Sequence, residues 1–507
     1  MNEVLRHAVD WIWLVPLWPL LAALVIGLRM LLGRTHGDAA EPATSRLVSA
    51  AALAALLGLL LVDLAVLRYG WPGHRAVWDW FGSDAWQGRL SFLLDALSLP
   101  VATTFALIGW LVARFSASYL HREPGFHRFF LVLALFLGGI QWVVLGGNAL
   151  IVFVGWELCG VASFLLIAHA WQRPTASGNA LFAFIANRAG DAGLLFSLGL
   201  CALWVGSFEW PQLFASHLPL VDLRVLLLGF VVAGLVKSAQ LPFSPWIGRA
   251  LEGPTPSSAI FYGAVLIHAG VYLMLRLQPL LGQLPDVAAG LVLIGALTAG
   301  YAWLCGLVQS DVKSSLIFAT LFQVALMFVA IGLGWTTLAT VHLCLHAGWR
   351  TWQFLLAPSW LTLTRARPAP PPSWLASRQW LYTAALQRFW LDRLGDILIG
   401  QPTRAIAGDL RALEAGFIDP AIGQPGRGAA VDEQRPLVRA DGLPGRLLAR
   451  LSGFLQRIEN RLLLHGRGGS GERMLREAGH WLRTLEALLE EPRYLMMAVM
   501  ATFVVIL

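Results

Sequence analysis

Charge is scarce in this sequence: Asp, Glu, Lys and Arg make up 13% of its 507 residues, against 57% hydrophobic ones. Mean hydropathy is +0.64. No water-soluble domain of this size buries so much apolar surface, so the solvent around most of the chain is lipid. Cysteine is also sparse. Cys159, Cys201, Cys305 and Cys344 all sit in apolar runs without a C-x-x-C pair, so neither an iron–sulfur cluster nor a structural zinc site is encoded, and no metal or cofactor is expected. Lysine is nearly absent: of 37 basic residues 35 are arginine, and the lysines are Lys237 and Lys313. The net charge of +7 comes largely from arginines in the C-terminal third. These read as a solvated cytoplasmic face and not as a nucleic-acid surface.

What is abundant is apolar runs of membrane-spanning length. Lipid requires every backbone polar group to be satisfied within the segment, and these runs lack the alternation of a barrel strand, so they are read as helices. The expected spans are 11–33, 46–68, 91–114, 128–146, 148–170, 179–205, 223–241, 257–277, 285–308, 313–333, 336–363 and 492–507. The first run lacks a small-residue cleavage site and reads as a retained helix, not a signal peptide. The fold class is therefore all-α and polytopic, with about twelve transmembrane helices and amphipathic C-terminal helices.

Composition divides the chain into N-terminal spans at 1–90, a dense charged-site region at 91–363, a Pro/Arg-rich interfacial or cytoplasmic region at 364–491, and a terminal apolar helix at 492–507. The stretch from Arg365 to Ser373 holds four prolines and reads as a stiff linker. Beyond it, 380–399, 443–464 and 472–489 have amphipathic helical patterns, separated by Gly/Pro-rich loops such as Gly423–Gly428.

An ionised side chain at bilayer depth costs several kcal/mol, roughly 2.5–3.5 at a helix centre by the lower scales, so each one demands a reason. Asp95, Glu157, Lys237, His268 and His346 stand in apolar surroundings. In a chain that otherwise uses arginine, a lysine at that depth is informative, because lysine can lose its proton when buried and arginine effectively cannot. Lys237 reads either as a proton-exchanging group or as a structural partner of Glu157. Lys313, beside Asp311 at the start of a span, reads as an interfacial anchor. His342, His346 and Arg350 recur every four residues, which puts them on one helix face. Histidine titrates near neutrality, whereas Arg350 stays charged and acts as a gate or anion clamp. Arg188 and Asp191 form a candidate charge pair near Glu157, and Pro242 with Pro245 breaks the helix after Lys237.

These motifs resemble the antiporter-like subunits of respiratory complex I, most of all its L subunit, called subunit 5 in mitochondria. The matching words are Leu94-Asp-Ala-Leu-Ser98, Trp156-Glu157, Ala162-Ser-Phe-Leu-Leu-Ile167, Asn187-Arg-Ala-Gly-Asp191, Lys237-Ser-Ala-Gln-Leu-Pro242, Gly253-Pro-Thr-Pro-Ser-Ser-Ala259, Asp311-Val-Lys313 and His342-Leu-Cys-Leu-His-Ala347. The resemblance spans about 90–356. It implies proton movement along a hydrated mid-membrane axis, with Glu157 paired to Lys237 on a broken helix, His268 as a bridge, and His342 and His346 leading toward Arg350.

Three departures qualify that expectation. Tyr262 stands where the L-type motif has histidine, while His268 stands where sister subunits have lysine. Arg350 replaces a family lysine. After Leu363 the family's second lysine-bearing broken helix is absent, together with the spans and lateral helix that follow it. A shortened L-like subunit with a soluble C-terminal third resembles the membrane subunit of DAB-type inorganic-carbon accumulation complexes. That resemblance implies a large partner with a carbonic-anhydrase-like zinc site, a bacterial inner membrane, and coupling of an ion gradient to CO2 or bicarbonate uptake. The other membrane subunits of complex I are the alternative partners.

Overall fold

The computed structural model describes residues 5, 7–83, 86–363 and 370–401. The expected helices at 443–464, 472–489 and 492–507, the loop Gly423–Gly428 and residues 364–369 of the linker lie outside the described residues. Each of the eleven spans expected between 11 and 363 contains a helix: α1 Leu14–Leu31, α2 Glu41–Tyr69, α3 Ser98–Tyr119, α4 Phe126–Leu145, α5 Ala149–Ile167, α6 Pro174–Leu200, α7 Leu220–Lys237, α8 Thr255–Arg276, α9 Pro285–Gly306, α10 Val312–Gly332 and α11 Thr336–Leu363. Nine helices among the described residues are long and apolar enough to cross a membrane. Two further helices, α7 and α11, carry the charges and histidines that dilute their apolar character.

The starts of these helices follow local chemistry. Asn148 accepts a hydrogen bond from the Ile151 amide at 2.8 Å, and Asp311 accepts one from Ser314 at 2.8 Å, each satisfying an orphan donor of the first turn. Proline occupies the first turn of α6 and α9, where its missing N–H costs nothing. Burial orders the bundle. The apolar window of α8 is 100% buried and that of α4 is 89% buried, so these two helices are innermost, while α6 and α9, at 33%, show most of their surface to lipid. Exposed leucines such as Leu57, Leu60, Leu61 and Leu64 line α2, as a lipid-facing surface requires.

A two-stranded antiparallel hairpin, β1 Gly73–Ser83 and β2 Trp86–Leu94, precedes α3. The expected span 91–114 therefore begins late, at Ser98, and its first residues are strand. Asp95 is corrected accordingly: it lies in the turn between β2 and α3, not at bilayer depth. There it accepts from the amides of Leu97 (3.1 Å) and Ser98 (2.8 Å) and is ion-paired to Arg276 at the end of α8. Burial raises its carboxyl pKa, but the Arg276 hydrogen bond and charge and those two amides outweigh burial and hold it below the usual value.

The hairpin marks one face of the bundle. Arg173–Glu252 (2.7 Å), Lys313–Thr255 (2.8 Å) and Tyr119–Thr255 (3.0 Å) mark the opposite face, gathering the end of α3 with the starts of α6, α8 and α10. One compact unit spans Met1–Asp396. The helix expected at 380–399 is interrupted, as α12 Gln379–Leu386 and α13 Leu391–Gly395, by three left-handed residues, Arg388, Phe389 and Trp390.

Candidate functional site

The break after α7 is built from its sequence. Ala239, at φ 53°, takes the left-handed position usually held by glycine. The Gln240 amide then bonds back to Leu235 O at 2.8 Å and the Ala239 amide to Val236 O at 3.0 Å, closing a Schellman-type end. The chain passes through the cis peptide Leu241–Pro242 and resumes as a short helix, Pro245–Arg249. Thr298 Oγ1 accepts from the Leu241 amide at 3.0 Å, and the Trp246 indole donates to Val236 O at 2.9 Å. Neighbours thus satisfy the unwound backbone, as bilayer depth requires.

Lys237 ends α7, and its side chain enters a group of four charges. Arg188 and Asp191, three residues apart on α6, share one helix face. Arg188 Nη1 donates to Glu157 Oε2 at 2.5 Å and its Nη2 lies 2.8 Å from Asp191 Oδ2. The Trp156 indole donates to Asp191 Oδ1 at 2.8 Å. Lys237 Nζ is 3.7 Å from that same oxygen and 4.8 Å from the Trp156 ring centre. Two carboxylates and two cations make the group neutral. The expected direct pairing of Glu157 with Lys237 is not what forms: the planar guanidinium of Arg188 reaches both carboxylates at once, and Asp191 is left to face the lysine. Gly160, one turn after Glu157, leaves the room; a Cβ there would lie 3.0 Å from Arg188 Nη2 and 3.8 Å from Lys237 Nζ.

A second polar group sits where α8 meets α11. His268 Nε2 is 3.0 Å from His346 Nδ1, and Arg350 Nε is 3.4 Å from His346 Nε2. Arginine only donates, so His346 Nε2 accepts, its proton sits on Nδ1, and Nδ1 donates to His268 Nε2. The ring of His342 lies 5.9 Å from that of His346, and its Nε2 meets Gln323 Oε1 at 2.9 Å. Arg350 Nη1 donates to Gln353 Oε1 at 2.8 Å. Ser238, next to Lys237, donates to Ile267 O at 2.7 Å, which brings Lys237 level with His268. Lys237 Nζ, Gln240 Oε1, Ser258 Oγ and Tyr262 OH are buried with no hydrogen-bond partner among the described residues.

Of the residues singled out in the sequence, Glu157, Arg188, Asp191 and Lys237 come together, as do His268, His342, His346 and Arg350, with Pro242 in the break between them. Asp95 joins neither group. Lys313 is elsewhere, donating to Thr255 on the face opposite the hairpin. Sequence reasoning missed Gln323 and Gln353, although Gln323 is the one amide in the apolar run from Ile317 to Ile331. It also missed Glu209, buried under the hairpin. Glu209 accepts from Ser91 (2.7 Å) and Asn148 (3.0 Å) and meets His74 Nε2 at 2.5 Å. Among the described residues no group of three or more His, Cys, Asp or Glu could hold a metal ion.

Two families match the chain: "NADH:quinone oxidoreductase/Mrp antiporter, TM" over residues 146–366, and "NADH-Ubiquinone oxidoreductase (complex I), chain 5 N-terminus" over residues 80–130. Residues 80–130 and 146–366 are thus similar to antiporter-like membrane subunits. NADH-ubiquinone oxidoreductase chain 5 of Halichoerus grypus is 35% identical over 282 residues, covering 56% of this chain and 46% of that protein. The chloroplastic NAD(P)H-quinone oxidoreductase subunit 5 of Nephroselmis olivacea is 35% identical over 364 residues, covering 69% of this chain and 55% of its own length. The chain thus spans about half the length of the curated relatives it matches. The Mrp complex from Dietzia sp. contains a chain of the same fold, with a TM-score of 0.59 at 21% identity, covering 97% of this chain and 63% of that one.

Proposed function

We propose that this antiporter-like subunit conducts protons along the two buried groups and passes the free energy of the gradient to a partner subunit. The observation that supports this most is the four-charge group ending in Lys237, a buried ammonium that donates no hydrogen bond to the described protein. A buried ammonium needs acceptors, and water is the acceptor that could also carry a proton onward past Gln240, Ser258 and Tyr262 to His268. Arg188 holds Glu157 and Asp191 in place as a fixed charge. Lys237 is the member of the group that can release a proton and regain it. At the second group the relay runs through the opposite tautomers: His268 accepts the proton on Nδ1 as its Nε2 proton passes to His346 Nδ1, His346 releases its Nε2 proton, and both rings then return to the resting arrangement. Arg350 then acts as a positive barrier that keeps the proton from resting there. Each proton crossing makes roughly 2.3 kcal/mol available per 100 mV.

The subunit's finer role, in our reading, is to drive inorganic-carbon uptake by a large partner with a carbonic-anhydrase-like zinc site in a bacterial inner membrane, with the Arg-rich region cytoplasmic. The support is in residues 364–507, which are rich in arginine and proline. The names of the matched relatives favour a second reading, a proton-pumping L-like subunit of an NADH-quinone oxidoreductase or related antiporter complex. Purification of the native complex separates the two. A single large zinc-containing partner supports the first, a set of respiratory subunits supports the second, and a chain that purifies alone and carries no proton flux in liposomes contradicts both.

A further inference from the structure

Polar groups continue from the broken helix toward the face opposite the hairpin. Ser244, in the break, faces the Tyr301 hydroxyl of α9, and Cys305, Asp392 and Arg388 are the next groups within electrostatic reach of Tyr301. The last two belong to the segment after the Pro-rich linker, which is fastened onto this spot. The Phe389 ring is 5.9 Å from that of Tyr301, and the Arg388 guanidinium lies 5.7 Å over Phe318. A Cβ on Gly248, in the short helix after the break, would come within 2.5 Å of Arg388 Nη1. Gly395 rests on Phe182 and Pro245; a Cβ there would lie 3.1 Å from Phe182 Cζ.

Arg388, Phe389 and Trp390 have φ of 52°, 54° and 54°. Consecutive non-glycine residues rarely hold that conformation, and such strain persists only where surrounding contacts over-determine it. The contacts that do so here are those of Arg388 and Phe389 just named. The same turn sets Asp392 at a boundary. One of its oxygens, Oδ1, is buried without a hydrogen-bond partner among the described residues; the other is 3.5 Å from Arg388 Nη1; and 34% of the side chain remains solvent-exposed. A carboxylate with one buried oxygen and a surface open to water suits proton exchange between the two.

We propose that Asp392 is the proton-exchanging carboxylate at this end of the conduction path, with Tyr301 as a hydroxyl relay and Arg388 as the residue that positions the carboxylate. The inference rests on the conduction reading above and names its outlet. A proton arriving from the Ser244 side is accepted on the Tyr301 oxygen as that hydroxyl releases its own proton toward Asp392 Oδ1, so Tyr301 ends neutral. Asp392, now a neutral acid, gives the proton to water on its exposed side and returns to carboxylate.

The test reconstitutes the full chain, with any partner that co-purifies, and measures the collapse of an imposed pH gradient. Asp392→Asn is expected to lose flux to the level of Lys237→Ala, and Asp392→Glu to keep it. Wild-type flux in Asp392→Asn beside a silent Lys237→Ala overturns the outlet and leaves conduction intact; a silent wild type overturns conduction itself. Because Asp392→Asn could fail to assemble, wild-type protein is also treated with a water-soluble carbodiimide and glycine ethyl ester, and the modified sites are mapped by mass spectrometry. Modification of Asp392 in step with loss of flux supports the outlet. Full modification with flux unchanged, or no modification of Asp392, overturns it.

Discussion

Replacing Lys237 with methionine removes one of the two cations from a neutral group and leaves the charges of Glu157 and Asp191 facing Arg188 alone. Lys237 is 1% exposed and its Nζ is 3.7 Å from Asp191 Oδ1. At about 4 Å and an effective dielectric of about 20, such a pair is worth roughly 4 kcal/mol. Removing one partner of a buried pair costs about 3–5 kcal/mol, because the other charge stays uncompensated. Lys237→Met should therefore lower the thermal midpoint in detergent and abolish proton flux. The double variant Lys237→Met/Asp191→Asn restores neutrality while leaving Arg188 paired with Glu157. It should recover most of the midpoint and none of the flux, because a proton carrier is still missing. Flux that returns with stability in the double variant would refute the reasoning and reduce Lys237 to a structural counter-charge. An unchanged midpoint in the single variant would refute the claim that the ammonium balances a buried carboxylate.

Other expectations follow from the packing around these groups. Gly160→Leu forces bulk against Arg188 Nη2 and Lys237 Nζ, so it should cost about 1–3 kcal/mol in overpacking and reduce flux, as thermal unfolding and liposome assays would register. Glu209→Gln keeps the shape under the hairpin but loses the charged acceptor for His74 and Ser91; about 1–3 kcal/mol of stability and faster proteolysis of residues 73–94 are expected. His169, in the turn after α5, has its pKa pushed down from 6.5 to about 4 by burial and then by the Arg128 charge, with the Pro124 backbone acting the other way. The unfolded chain then binds the extra proton in that window, so the stabilisation is complete above pH 6.5 and declines as pH falls toward 4. His169→Phe should flatten the midpoint between those pH values; an unaltered slope would contradict the assignment.

What could be read in the sequence was what lipid imposes. Runs such as Phe126–Leu145 are unambiguous because bilayer depth admits little else, and the break after Lys237 announced itself through Pro242 and Pro245. Lys237 stood out because the chain otherwise uses arginine. The pairing pattern was less legible. Arg188 could be named as a neighbour of Glu157, but whether lysine or arginine takes the glutamate depends on the reach of side chains from three helices. The hairpin was hidden because Leu90–Leu94 merges with the apolar run of α3, so residues 73–90 were grouped with the N-terminal spans. The turn at 388–390 had no sequence signal at all, since Arg, Phe and Trp do not ordinarily mark left-handed backbone.

The central claim, that the four-charge group moves protons, is tested most directly by comparing gradient-driven proton flux in liposomes containing the wild type, Glu157→Ala or Lys237→Ala, each checked for intact assembly. The account predicts flux in the wild type and none in either variant. Two assembled variants that sustain wild-type flux would contradict it.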